Sequence, residues 1–253
     1  MNAIHAHLGM RSRTREVADY SSVDIETLFP GLTRLGIGGL IVSGLLRFVL
    51  PSGLALLADI IFVVSLVLLL PQALAYLFFW YFGGRPRYLA RQRLVDSINW
   101  RGDEWVLDVP TGSGFMLLAC AQKLTTGKAI GVDLWLPGFG GGPEKRFLNN
   151  ARIEGVADRV ECKTMDAHKM MFNGRTFDVV ISSFGVSHLG KSADERQQVV
   201  RDMLRVLKPG GTIALCDMSS SISESLQTLR NAGLTDIHQQ GLVIRLLIAR
   251  KPA

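Results

Sequence analysis

The chain has 253 residues, enough for one large domain or for a domain of about 150 residues with an appendage. Its 28 Lys and Arg against 22 Asp and Glu give a formal charge of +6, compatible with a nucleic-acid surface or an anionic membrane and requiring neither. Three isolated cysteines (Cys120, Cys162 and Cys216), without a CxxC or a His/Cys cluster at ligand spacing, argue against a disulfide framework and a structural zinc, and no metal is expected.

Residues 1–34 are polar, with Arg11, Arg13, Arg15 and Arg34 offset by Glu16, Asp19, Asp24 and Glu26. They read as a cytoplasmic or interfacial segment. The apolar stretch that follows starts too late for an ordinary cleaved signal peptide. Its first run, Leu35 to Leu50, carries one charge, Arg47, and ends at Pro51-Ser52-Gly53. Its second run, Leu54 to Phe82, carries Asp59 and is interrupted by Pro71, leaving 23 uncharged residues from Ile60 to Phe82. A helix needs roughly 20 apolar residues to cross a bilayer, so the second run is long enough and the first is marginal.

The spacing predicts a transmembrane helical hairpin over 35–82, with helices at about 35–51 and 56–82 and Arg47 near Asp59. The rival is a single crossing, with the first run lying in the interface. Arg85, Arg87, Arg91 and Arg93 follow the second run and, like the N-terminal arginines, favour the cytoplasmic side. The aromatic cluster from Tyr76 to Phe82 stands where an interfacial belt belongs. The expected partner is therefore a lipid bilayer and no nucleic acid. The protein would be multi-pass, its C-terminal domain cytoplasmic, with homo-oligomerisation through the helices left open. Residues 83–104 form a basic linker and lead-in helix.

From Trp105 onward, short apolar runs alternate with amphipathic segments. Strands are predicted at Trp105–Val109, Ala129–Asp133, Val160–Thr164, Phe177–Ser182, Thr212–Asp217 and Leu242–Ala249. Helices are predicted after the first glycine turn and at Glu144–Glu154, Ala193–Leu207 and Ser221–Asn231. Continuous apolar strands separated by helices indicate an α/β fold with a doubly wound, mostly parallel sheet. Ligands of such sheets bind beyond the carboxyl ends of the strands.

The first strand ends in VLDVPTGSGF, Val106 to Phe115, placing Asp108 at the strand end and Gly112 and Gly114 in the turn. Small residues there let a ligand approach the backbone. Asp133, 19 residues after Gly114, ends the second strand and fits a ligand of ribose hydroxyls, as an NAD site would also show.

These segments resemble class I S-adenosylmethionine-dependent methyltransferases. Asp108, Gly112 and Gly114 match that family's first motif, whereas Pro110 replaces its first glycine. MDA at Met165–Ala167, SSF at Ser182–Phe184, LRVLKPGG at Leu204–Gly211, and the closing LRNAGL and IARKP follow in order. The resemblance covers about Trp105 to Pro252, within a domain taken as 105–253, and implies a Rossmann-like, seven-stranded domain with S-adenosylmethionine as cofactor. It implies that Asp108, Pro110, Thr111, Gly112 and Gly114 surround the methionine end. Asp133 would hold the ribose, Leu134 and Trp135 would pack near the adenine, and Asp166 with Ala167 would read it. Ser182 and Ser183 would line the edge nearest the methyl group. His188 is the best titratable candidate for a base, ahead of Asp217 and then His168. The domain is near minimal, and its site adjoins the apolar segment. That suits a small lipophilic or membrane-associated acceptor. A protein or peptide substrate and a non-catalytic cofactor-binding scaffold are the alternatives.

Overall fold

A computed structural model describes residues 18, 20, 30–49, 51, 55–78, 85–135, 144–190, 192–241 and 244–253. Two helices come first, α1 (Pro30–Val49) and α2 (Ala55–Phe78). α1 starts five residues before the apolar run, at a proline whose fixed φ suits the first helical position. α2 passes through Pro71 instead of breaking there. In the turn that the proline weakens, the Gln72 side-chain amide donates to the Leu68 carbonyl at 2.7 Å. The predicted turn at Ser52-Gly53, the side chains of the aromatic cluster and the arginines before residue 18 lie outside the described residues.

α1 and α2 lie antiparallel. Thr33 donates to Gln72, Gly36 faces Leu69, Gly39 faces Ser65, and Arg47 pairs with Asp59. Small residues thus fill the seam while Leu35, Phe48, Leu56 and Val67 point outward. Among the described residues, one stretch, Ala55–Leu74 in α2, is long and apolar enough to cross a membrane. The sequence had suggested two spans.

After α3 (Arg85–Asp96) the chain alternates. The elements are β1 (Trp105–Asp108), α4 (Leu117–Ala121), β2 (Lys128–Asp133), α5 (Glu144–Ile153), β3 (Val160–Thr164), β4 (Phe177–Ser183), α6 (Gly185–Leu189), α7 (Ala193–Val206), β5 (Leu207–Met218), α8 (Ser219–Asn231), β6 (Thr235–Gln240) and β7 (Ile244–Arg250). The sheet order is β3-β2-β1-β4-β5-β7-β6, parallel except for β7, which runs antiparallel to both β5 and β6. It is the expected mostly parallel, Rossmann-like sheet with flanking helices.

Alternation along each strand builds two cores. Val106, Val179, Ile181 and Leu246 pack with Leu94 of α3 and Leu118 of α4. Leu107, Val180, Ile213 and Leu247 pack with Met203 of α7 and Leu229 of α8. Each large side chain so buried contributes about 1.5–3 kcal/mol.

Two elements depart from expectation. β5 begins at Leu207 rather than Thr212, because Leu207 already pairs with Phe177. Lys251 Nζ takes up the carbonyls of Leu204 and Leu207 at 2.7 and 2.8 Å, closing the end of α7. β6 has no apolar alternation to announce it, being an edge strand exposed along most of its length.

Candidate functional site

The carboxyl ends of β1, β2 and β4 meet at one edge of the sheet, where the loops after them converge. The turn after β1 is pinned from three sides. Thr111 N donates to the Val132 carbonyl at 2.9 Å, and Gly112 N donates to Asp133 Oδ2 at 2.8 Å. From α5, buried Asn150 Nδ2 donates to the Ser113 carbonyl at 3.0 Å. Gly114 sits at φ +83°, and a Cβ there would come within 2.9 Å of Leu118 and Phe147. A glycine is therefore required for both conformation and space.

Asp108 is buried beneath this turn. Its Oδ2 accepts from Thr111 Oγ1 at 3.1 Å, while Oδ1 has no hydrogen-bond partner among the described residues. Burial pushes its carboxyl up to about 8, against the hydrogen bonds it accepts. A buried acid with one idle oxygen is suited to receive a cationic or donating group of a ligand.

Asp133 uses both oxygens on backbone, Oδ2 on Gly112 N and Oδ1 on Trp135 N at 2.9 Å. A carboxylate offers about four lone-pair sites, so capacity for ribose hydroxyls remains. Trp135 adopts φ +55°, a left-handed conformation uncommon for a large residue. Its indole donates to Thr164 Oγ1 at 3.0 Å and meets Phe147 edge-on, which leaves the half-exposed Leu134 as the open apolar surface of that loop.

Asp166 accepts from His168 N at 2.9 Å, and its carboxylate contacts His168 Nδ1 at 2.8 Å. These bonds hold the Asp166 carboxyl below its ordinary value. The short 3-10 turn it caps, Ala167–Lys169, buries Ala167.

At the end of β4, Ser183 is half-buried, and the following Phe184 takes φ +54° with its N–H on the Cys216 carbonyl at 2.7 Å. Ser182 is buried on the opposite side of the strand, facing Gly185. Pro110, reached through a cis peptide, packs against the same Gly185, so the residue replacing the glycine of the turn meets the first residue of α6. His188 is exposed on α6. Asp217 is buried and accepts from Ser187 N at 2.9 Å and Met218 N at 2.7 Å, so it fastens α6 to the end of β5.

The structure thus brings Asp108, Thr111, Gly112, Gly114 and Asp133 into one bonded turn. Leu134, Trp135, Asp166 and Ala167 stand on the neighbouring strand ends, and His188 is carried on a separate short helix. Among the described residues, no group of three or more His, Cys, Asp or Glu could hold a metal ion.

Sequence reading missed the cluster around Phe115, the residue after Gly114. The guanidiniums of Arg87 and Arg91 lie 4.7 and 5.1 Å from its ring centroid, and Tyr20 and Tyr88 meet it edge-on. Tyr20 Oη donates to Glu154 Oε1 at 2.7 Å, and Arg91 Nη2 lies 3.5 Å from the same oxygen. Of the arginines assigned to the membrane interface, two therefore turn inward onto the domain, while Arg93 stays exposed. The aromatic at position 115 was the available clue, since an arginine one helical turn from another can stack on it. Nothing in the sequence placed Tyr20.

Residues 106–211 match the family model described as "Methyltransferase domain". A curated relative, the ubiquinone/menaquinone biosynthesis C-methyltransferase UbiE of Salmonella arizonae, is 32% identical over 139 residues, 54% of this chain and 52% of the relative. The chain thus spans about half the length of the curated relatives it matches. Among solved structures, a SAM-dependent methyltransferase from Aquifex aeolicus aligns with a TM-score of 0.52 at 19% identity, covering 63% of this chain and 88% of that one. A SAM-dependent O-methyltransferase from Thermotoga maritima aligns at 0.52 and 17%, covering 67% and 66%. These two likenesses speak to the fold.

Proposed function

From the premise that residues 106–211 are a class I S-adenosylmethionine-dependent methyltransferase domain whose cofactor is S-adenosylmethionine, we propose that the chain is a membrane-anchored enzyme methylating a lipophilic acceptor at the bilayer surface. One observation carries the membrane part of this reading. α3 leaves the apolar hairpin after residues 79–84 and stacks its arginines on Phe115, beside the cofactor turn. The anchor and the site are therefore joined by one helix. Both chain ends lie on the cytoplasmic side, with α1 and α2 crossing as a pair whose apolar surface faces lipid.

When bound, the cofactor supplies an electrophilic methyl group. Asp133 holds the ribose, Leu134 and Trp135 border the adenine, and Asp166 with the backbone at Ala167 reads its edge. Asp108, beneath Thr111, Gly112 and Gly114, receives the cationic amino-acid end. The fit rests on its idle buried oxygen. Ser183 and Pro110 border the methyl end. His188 takes the acceptor proton, and Asp217 positions it through Ser187 N.

An acceptor with a polar ring and a membrane-embedded tail suits this arrangement, and quinone precursors are acceptors of that shape. Tritiated methyl transfer by the full chain into membrane extracts tests the proposal. Label is expected in the organic phase, and Asp133→Ala should reduce it. Label in protein would favour a peptide substrate, and cofactor binding without transfer would favour a scaffold.

A further inference from the structure

We propose that His168 is a positioning residue for the base of the cofactor: its ring holds one oxygen of Asp166 and thereby presents the other to the exocyclic amino group of the adenine. The inference rests on the methyltransferase reading, in which Asp166 meets the adenine, and adds a residue to it.

The loop that carries Asp166 is fixed from its start. Asp133 and Thr164 stand opposite each other at the ends of β2 and β3, and Met165 N donates to the Asp133 carbonyl at 3.1 Å. Asp166 is the next residue, so it follows directly on the strand end that borders the proposed ribose ligand. Behind it Ala167 is buried and anchors the turn. The Asp166 side chain is itself exposed. An acid so placed has a fixed backbone and a side chain that rotates unless something holds it.

His168 holds it. Two of its groups donate to the same oxygen, Asp166 Oδ1, the backbone N–H at 2.9 Å and ring Nδ1 at 2.8 Å. The backbone bond caps the short 3-10 turn and needs no particular side chain at this position. The ring bond is additional, and with it the carboxyl group is gripped from two directions. These bonds, the backbone one first, keep the carboxyl below its ordinary value. An ionised carboxylate only accepts, so the ring carries its proton on Nδ1. Among the described residues, Asp166 Oδ2 has no hydrogen-bond partner. One committed oxygen and one open oxygen suit a ligand that brings an N–H, and a base without an amino group has nothing to give it.

Calorimetric titration of the full chain in lipid nanodiscs provides the test. The two probes are S-adenosylhomocysteine and its deamino analogue, in which hydrogen replaces the adenine amino group. The wild type should prefer the amino form by about tenfold or more, as a hydrogen bond to a carboxylate warrants. His168→Ala keeps the backbone bond and loses the ring. It should cut that preference by about threefold to fivefold, the scale of returning rotamer freedom to one short side chain. The loss should fall on the amino form alone, and unchanged binding of the deamino analogue also shows that the variant is folded. His168→Asn restores a side-chain donor near the position of Nδ1 and should recover most of the preference. Asp166→Ala should remove it. A His168→Ala variant that keeps the wild-type preference would overturn the proposal, and so would one that binds both ligands equally more weakly, since His168 would then serve only the cap or the fold. If Asp166→Ala kept the preference, the adenine role of Asp166 would fall and this one with it. A wild type that bound neither ligand would remove the methyltransferase reading beneath both.

Discussion

In the helical hairpin, Ser43 and Ser65 are buried, whereas Phe48 is 95% exposed and Val67 65% exposed. In the α/β domain the order is reversed, with Phe147 and Phe177 fully buried and the charged residues of α7 outward. The domain obeys the rule for water, hiding apolar area from the solvent. The hairpin shows the reverse, the pattern expected of helices in lipid, where large apolar side chains would meet the hydrocarbon and small or polar ones let helices approach. Gly36 and Gly39, facing Leu69 and Ser65, supply that approach. The two regions therefore follow opposite rules, which the proposed bilayer around the hairpin would reconcile.

The strongest way to break this comparison is to place a charge on the outward surface of the hairpin. On a soluble protein, Val67→Lys would change stability by less than about 0.5 kcal/mol. Near the middle of a lipid-facing helix it should cost about 2.5–3.5 kcal/mol of insertion. The expected outcome is a lost membrane fraction on flotation. A variant that floats like the wild type would show that this surface does not face lipid.

The counterpart in the domain is Asp133→Ala. It removes the acceptor of two backbone bonds together with the proposed ribose ligand, and should weaken cofactor binding by about 1.5–3 kcal/mol. Membrane flotation should stay unchanged. A dissociation constant equal to that of the wild type would rule Asp133 out as a ligand.

How far the sequence revealed each region follows the same division. Apart from the early start of β5, the buried strands were legible within a residue or two because continuous apolar runs have one explanation in a parallel sheet. β3 matches its expected bounds, Val160–Thr164. The turn after β1 was legible as a tight glycine turn beside an acid, and Gly112 N does donate to Asp133 Oδ2. What stayed hidden depends on contacts distant in sequence. Asn150 supports Ser113 from α5, Tyr20 reaches Glu154, and Asp217 spends both oxygens on backbone donors. β6 was invisible because an exposed edge strand needs no apolar pattern. The arginines of α3 were read from their proximity to the apolar run, and the fold then drew Arg87 and Arg91 onto Phe115.

A smaller effect should appear with pH. Burial keeps the Asp108 carboxyl protonated up to about 8 in the folded chain, whereas an unfolded carboxyl ionises near its ordinary value of 3.8. Between those values the folded state binds the extra proton, so Asp108 makes stability fall as pH rises through the window and level off above about 8. A cationic ligand end prefers the ionised form. Cofactor affinity should therefore rise toward pH 8 by up to about 1.4 kcal/mol per unit. Asp108→Asn should flatten both profiles. A cofactor affinity that falls over this range would mean that Asp108 donates its proton to the ligand instead of receiving a cation.

The finest test concerns the one departure from the family's glycine motif. A Cβ at Gly185 would run into Pro110 Cδ and Ser182 Oγ and lie 2.8 Å from the Val109 carbonyl. Gly185→Ala should therefore destabilise the domain by about 1–3 kcal/mol through overpacking. If Pro110 is the chief obstacle, the same substitution should cost less in a Pro110→Gly background. The expected coupling is about 0.5 kcal/mol or somewhat more, because Ser182 and the carbonyl still resist. Denaturant midpoints of the two single variants and the double variant measure it. Strict additivity would mean that Pro110 and Gly185 do not share their space, and the proline would then be a neutral replacement for the glycine. A clear coupling would mean that the domain has adjusted α6, and with it the placement of His188, to accommodate Pro110.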